Sequence, residues 1–275
     1  MLTILCPTDL SEQTSNSLIY ANSLAQNTNS RIIILHTFFI PPPLPAELKV
    51  KKPEDVYHYG QEMLDKSCND FAKKYISKKV KSSCLVKRGF VLDEIVKIIN
   101  EENVNMVIMN TEGAHGIKEL FPGTITSRII DNVKCPVMVI PDNYEFTPLD
   151  KIVYATDMKG NEEGNFEYVR NIASVFNSKI TFLNISKSLT EEERKEKIHK
   201  MNTLAENMGI KKPSFEIIQG KNTFASIIDY IKIHNAQMLM ISTKKRPALQ
   251  RLFTRSLTKK MAHHAFVPVL AMHKN

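Results

Sequence analysis

The sequence has no apolar run approaching the roughly 18–20 residues that a membrane-spanning helix needs, so a bilayer span is not expected. Its opening residues, Met1-Leu2-Thr3-Ile4-Leu5-Cys6-Pro7, carry no basic segment and pass straight into Thr8-Asp9, so they do not read as a signal peptide. Cysteine is scarce: Cys6, Cys68, Cys84 and Cys135 are scattered without a CxxC pair, which argues against metal ligation and bridges. Cys6 and Cys135 fall in or beside apolar strand-like runs, as reduced core thiols do. Together these features point to the cytoplasm.

Catalytic signatures are missing as well. There is no GxxxxGK followed by Ser or Thr, which argues against P-loop hydrolysis, and neither GxSxG nor HExxH occurs. His263 and His264 are adjacent on a predicted helix and point in different directions, unlike a ligating pair. His115 reads as a solvated loop histidine, and no carboxylates pair at a clear catalytic spacing. Nothing specifies a catalyst. The formal net charge is +8, yet no aromatic-rich strand, helix-turn-helix or finger spacing accompanies it. Between Asp65 and Lys81, lysines 73, 74, 78 and 79 mix with Asp70 and with apolar Phe71, Tyr75 and Ile76, the pattern of a solvated helix face. Nucleic acid is not expected as a partner.

What is present is a repeat. Thr3-Ile4-Leu5-Cys6-Pro7-Thr8-Asp9 matches Lys151-Ile152-Val153-Tyr154-Ala155-Thr156-Asp157 at an offset of 148 residues, and Ser30 to His36 matches Ser178 to Asn184 at the same offset. Further on, Asn105 to Met109 matches Gln237 to Ile241, and Cys135-Pro136-Val137 matches Val267-Pro268-Val269, both at 132. The first copy is therefore 16 residues longer in its middle, and proline-rich Pro41 to Pro45 is the obvious place for most of the surplus. At 275 residues, 43% of them hydrophobic and 24% charged, the chain is long enough for two domains that each bury a core. A polar link from Asp142 to Leu149 would join domains at 1–143 and 149–275.

In the first copy, strands are predicted at about 2–7, 31–38, 83–88, 104–109 and 136–140. Helices are predicted from Ser11 (a candidate N-cap), over about 54–79, through Val91-Leu92-Ile95-Ile98-Ile99, and after Gly123-Thr124. Such alternation builds a parallel sheet covered by helices on both faces. Its ligands sit outside the carboxyl ends of the strands, where Asp9 and Asn110 would both stand. Each copy closes with an apolar strand, 136–140 and 268–272, whose exposed edge would invite pairing with another strand.

The stretch after Val104 to Met109 organises the site. A strand runs into a loop, Asn110-Thr111-Glu112-Gly113 through Phe121-Pro122-Gly123-Thr124, which delivers Gly123 and Thr124 to a helix start. Glycines let backbone approach a ligand, and free N–H groups at a helix start favour an anion, a phosphate chain above all. Glycines that serve only the loop's turns are the other reading.

These marks resemble the universal stress protein family in tandem form, over nearly the whole chain. They are Pro7-Thr8-Asp9, Leu35-His36, the closing Cys135 to Ile140, and the nucleotide loop. In ATP-binding members that loop runs Gly, two residues, Gly, nine residues, then Gly and Ser or Thr; here Asn110 stands for the first glycine, followed by Gly113, Gly123 and Thr124. The resemblance implies two tandem open-twisted parallel five-stranded sheets flanked by helices, of the Rossmann-like, adenine-nucleotide alpha-hydrolase-like kind. It implies ATP or another adenine nucleotide, accompanied by Mg2+, in the N-terminal domain only. Pro7, Thr8 and Asp9 would lie near adenine and ribose, Thr37 and Met109 on the adenine side, and Gly113, Gly123, Thr124, Ile125 and Thr126 at ribose and phosphates. Asparagine tolerates a left-handed backbone, but the Asn110 side chain adds bulk where the ligand should lie. Asp9 also suits capping of the helix at Ser11.

In the second copy Ser242, Lys245, Arg255 and Ser256 replace the loop residues, so a site without nucleotide is expected; with Lys244, Arg246 and Arg251 they read as a solvated basic surface. The implied function is stress-response regulation. A slow ATP hydrolase using the same crevice and a nucleotide-free scaffold are the alternatives, and a homodimer of chains is implied by the family.

Overall fold

The computed structural model describes residues 2–39, 53–110, 125–141, 144–158, 162–243 and 267–273. The chain divides into two compact units, Met1–Ile117 and Lys118–Asn275.

The first unit runs β1 (Thr3–Thr8), α1 (Glu12–Thr28), β2 (Arg31–Phe38), α2 (Pro53–Tyr75), β3 (Ser82–Arg88), α3 (Val91–Glu101) and β4 (Met106–Asn110). Its strands lie in the order β3-β2-β1-β4 and pair in parallel. Residues 4–6 of β1, 32–35 of β2 and 106–110 of β4 are all buried, so these strands are covered on both faces, as their unbroken apolar runs predict. Helix α1 starts where Ser11 accepts the Thr14 amide and ends at Asn29 in left-handed backbone (φ 49°). Helix α2 stops at Tyr75, short of the predicted 79, so Lys78 and Lys79 lie beyond it. The Ser77 amide donates to Asn22 Oδ1 on α1 at 2.9 Å, and Ile76 and Val80 are buried in the turn that follows. Those tertiary contacts outweigh further helical propagation.

The second unit holds α4 (Ile125–Asn132), β5 (Val137–Ile140), β6 (Lys151–Thr156), α5 (Phe166–Phe176), β7 (Lys179–Ser186), α6 (Glu191–Met208), β8 (Ser214–Gln219), α7 (Thr223–His234), β9 (Met238–Thr243) and β10 (Val269–His273). Its strand order is β5-β10-β9-β6-β7-β8. All these pairs are parallel except β5 with β10, which run antiparallel with Val139 opposite Val269 and Val137 opposite Ala271. The closing strands of the two sequence copies thus meet, and β5 falls within the second unit. Residues 137–140 and 269–272 are all buried.

The repeat extends to polar devices. Asn105 Oδ1 accepts the Thr3 amide at 2.8 Å while its own amide donates to Thr3 O at 2.9 Å; Gln237 and Lys151, at the corresponding positions, repeat both bonds at 2.7 and 2.9 Å. Asn29 and Asn177 both adopt left-handed backbone after their helices (φ 49° and 50°), as do Asn103 and Asn235 (48° and 51°). The proline-rich surplus at 41–45 lies outside the described residues.

Candidate functional site

In the first unit, β1 and β4 pair with Ile4 opposite Met106 and Leu5 opposite Val107, a register that continues to set Thr8 level with Asn110 at their carboxyl ends. Beyond Thr8 the chain turns sharply through Leu10 (φ 63°), whose amide donates to Thr8 Oγ1 at 2.9 Å. Asp9 Oδ1 accepts from the Ser11 amide at 3.0 Å and from Thr14 Oγ1 at 3.1 Å. The Thr8 and Thr14 hydroxyls are 2.7 Å apart. Asp9 therefore holds the helix-capping turn, with Ser11 itself as the cap, while remaining exposed at the strand end. An ionised carboxylate accepts at both oxygens, and these two donors fix its direction.

Asn110 ends β4 within the extended strand, not in left-handed backbone. It is only 5% exposed, and its Oδ1 accepts the Ser17 amide of α1 at 2.8 Å. The expected bulk in ligand space is thus corrected: the side chain is turned into the interior, where α1 supplies a donor for its carbonyl. The His36 ring on β2 adds a further tie. Because a carbonyl can only accept, its Nδ1 donates to Thr8 O at 3.0 Å, which requires the Nδ1–H form of the ring.

The second unit repeats this turn with different chemistry. Met158 (φ 55°) donates its amide to Thr156 Oγ1 at 2.9 Å, and Asn184 Nδ2 donates to Thr156 O at 2.8 Å, as Leu10 and His36 do toward Thr8. Where the first unit has Thr14 and Cys6, however, the second has Glu162 and Tyr154. Glu162 is 4% exposed; its carboxyl accepts from Thr156 Oγ1 at 2.6 Å and from the Tyr154 hydroxyl. Burial, then the neighbouring Glu162 charge, push the Tyr154 phenol well above its ordinary range, opposed by a bond to Ser242, the counterpart of Asn110. Lys197 of α6 reaches Asn184 Oδ1 at 3.1 Å and also bonds the Ser186 hydroxyl. The interior behind this strand end is filled by an acid and a phenol that satisfy each other.

Of the residues singled out from sequence, Pro7, Thr8, Asp9, Met109 and Asn110 gather at the carboxyl ends of β1 and β4, and Thr37 lies in β2 beside them. Ile125, 50% exposed, and buried Thr126 open α4 in the second unit. Gly113, Gly123 and Thr124 lie outside the described residues, as do His115, Lys244, Lys245, Arg246, Arg251, Arg255, Ser256, His263 and His264. Thr14 and Ser17 are not singled out by the sequence, nor are Tyr154 and Glu162, and His36 is marked there only as the end of the second strand. The offset of 148 was the available signal, since it aligns His36 with Asn184 and Thr14 with Glu162. Among the described residues, no group of acidic, histidine and cysteine side chains is placed to hold a metal ion. No helix among them is long and apolar enough to cross a membrane.

A sequence model of the universal stress protein family matches residues 1–141 and again 148–273. Universal stress protein MJ0577 of Methanocaldococcus jannaschii is 28% identical over 160 residues, spanning 50% of this chain and 93% of that protein. Universal stress protein MJ0531 of the same organism is 26% identical over 140 residues, spanning 50% and 80%. The crystal structure of a universal stress protein from Archaeoglobus fulgidus superposes with a TM-score of 0.69 at 16% identity, covering 99% of this chain and 96% of that one. At that identity the likeness shows the fold.

Proposed function

The chain belongs to the universal stress protein family, with two copies of its domain in tandem, and we propose that it is a regulatory protein that binds ATP or another adenine nucleotide in its first copy only. The observation that carries this reading is the anchored Asp9 carboxylate, held by Ser11 and Thr14 at the carboxyl end of β1, level with an Asn110 whose side chain is turned away into α1. A fixed carboxylate at that place accepts from ribose hydroxyls. The phosphate half of the reading comes from sequence: the spacing of Gly113, Gly123 and Thr124, continued by Ile125 and Thr126, is that of the family's nucleotide loop. Thr8 and Pro7 would line the ribose and base, with Thr37 and Met109 on the base side. In the second copy the buried Glu162 and Tyr154 stand where the first has Thr14 and Cys6, and the loop glycines are replaced by Lys245 and Arg255, so the strand end is built differently from that of the first copy. The proposal assigns residues 1–143 to the nucleotide-binding copy and 149–275 to the degenerate one, with Mg2+ accompanying the phosphates and chains paired as a homodimer.

Mass spectrometry of ligand released from freshly purified protein, with calorimetric titration of ATP, tests this. One nucleotide per chain is expected for the wild type and for Asp157→Ala, and none for Gly123→Val with its fold intact. Two nucleotides per chain would refute restriction to the first copy, and unchanged affinity in Gly123→Val would refute the loop assignment.

A further inference from the structure

The strand order β3-β2-β1-β4 leaves β3 with a neighbour on one side only among the described residues. Two bonds fix which of its groups face outward: the Ile32 amide donates to Lys81 O at 2.9 Å, and the Gly89 amide donates to Phe38 O at 3.0 Å. Residues of a strand address its two neighbours alternately. The odd-numbered residues of β3 therefore bond β2, while Ser82, Cys84, Val86 and Arg88 turn their N–H and C=O groups to the open edge. Val86 O is already capped, accepting from Gln61 Nε2 of α2 at 3.3 Å. No described residue bonds the backbone of Ser82 or Cys84 at that edge, where Ser82 is exposed and Cys84 half-buried.

This opening has a basic surround. From residue 66 to residue 88 there are eight lysines and arginines against one carboxylate, Asp70, a surplus of seven positive charges. Lys73 and Lys74 are engaged, with Asp70 at 3.3 Å and with Glu12 at 2.7 Å. Lys78, Lys79 and Lys81, in the turn that leads into β3, are all exposed and have no carboxylate partner among the described residues. Lys79 and Lys81 also line a hollow of about 340 Å³, together with Gln26, Asn29 and Ser30. The carboxyl end of α1 borders it, but a helix end carries only about half a negative charge, set here against two ammonium groups. The hollow favours an anion.

We propose that the open edge of β3 is a docking site for an extended acidic peptide of another protein, which adds as a strand beside Ser82 to Cys84 and sets carboxylates against Lys78, Lys79 and Lys81. Main-chain bonds give such an addition its affinity, and side-chain complementarity gives it selectivity. Lysine at a sheet edge ordinarily turns other strands away. A second copy of this chain is turned away here, because pairing β3 with β3 sets cation against cation. An acidic strand meets the opposite sign. A phosphate group can accept from the two outward amides but brings no donor for the two outward carbonyls, whereas a peptide strand brings both.

The test uses the full chain and a short, end-blocked, dye-labelled peptide of alternating glutamate and valine, titrated by fluorescence anisotropy. Binding should saturate, weaken as salt is added, and slow hydrogen exchange at the Ser82 and Cys84 amides. The same peptide N-methylated along its backbone keeps its charge but has no amide to donate, and should bind about tenfold more weakly or worse. Ser82→Pro removes one outward N–H and leaves the ladder to β2 intact, so it should also weaken binding about tenfold. Lys78→Glu, Lys79→Glu and Lys81→Glu made together should abolish binding. The comparison of the two peptides needs no variant, so it decides the point even where a substitution disturbs folding. Equal binding of the N-methylated peptide, or no binding of either, would overturn the proposal. So would duplex DNA or phosphatidylserine vesicles that engage the same lysines more tightly than the peptide does.

Discussion

Asn110 Oδ1 accepts the backbone amide of Ser17 at 2.8 Å, a bond that joins the end of β4 to the first turns of α1 across 93 positions of sequence. The residue that departs from the family's loop pattern is therefore a structural tie. Asn110→Gly, which supplies the missing glycine, should lower stability by about 1–3 kcal/mol and leave ATP affinity unimproved. Urea unfolding and calorimetric titration check the two halves of this expectation; a tighter-binding glycine variant would show that the asparagine does obstruct the crevice.

The His36 ring and the Asn184 amide do the same work in the two units, each donating to the carbonyl of the threonine that ends the neighbouring strand. His36→Asn should accordingly be milder than His36→Leu, which strips the Thr8 carbonyl of that donor at a cost of about 1–3 kcal/mol. Thermal melting of both variants provides the comparison, and equal losses would show that the bond contributes nothing beyond packing.

Tyr154 sets a dependence on alkaline pH. Its phenol is raised above the ordinary value of 10.0 in the folded chain, by burial first and by Glu162 second. Below 10 both states keep the proton. Above it the unfolded chain releases the proton and the folded chain does not, so unfolding is favoured as pH rises, by at most about 1.4 kcal/mol per unit. Urea midpoints between pH 8 and 11 should fall less steeply in Tyr154→Phe than in the wild type. Parallel slopes would mean that Tyr154 ionises as freely folded as unfolded.

The β5–β10 pair should be intolerant of charge. Val139 is 1% exposed and lies opposite Val269, so Val139→Lys buries an ammonium with no partner and should cost several kcal/mol. Lys73→Ala, which removes one member of an exposed pair with Asp70, should stay within about 0.5 kcal/mol. Chemical unfolding of both separates an essential strand pair from a dispensable one.

Much of the architecture was legible because the chain states it twice. The offsets of 148 and 132 align strand with strand, and the two-sided burial of β1, β2 and β4 follows directly from their unbroken apolar runs. The position of Asp9 at a strand end was legible on the same grounds. The end of α2 was not, because a helical pattern in lysines and apolar residues carries no sign that Asn22, on another helix, will capture the Ser77 amide. The direction of the Asn110 side chain was hidden for the same reason: residue type and loop spacing say nothing about a donor supplied from α1. Glu162 was hidden differently. It stands at an aligned position, but one of two adjacent glutamates in a polar stretch looks solvated until Tyr154 and Thr156 are seen to enclose it.

The antiparallel joining of β5 to β10 means that the sequence copy and the compact unit are not the same object. Residues 137–140 belong by repeat to the first copy, yet their partner strand is residues 269–273. During synthesis β5 emerges and must wait while everything from 141 to 268 is made, an interval on the order of 10 seconds at roughly 5–20 residues per second. Throughout it, an apolar edge is open to any strand that passes, including the β5 of a neighbouring nascent chain. A gene cut between the copies would make that interval permanent, so each half expressed alone is a candidate for self-association through its orphaned strand, and co-expression of the halves is the natural remedy.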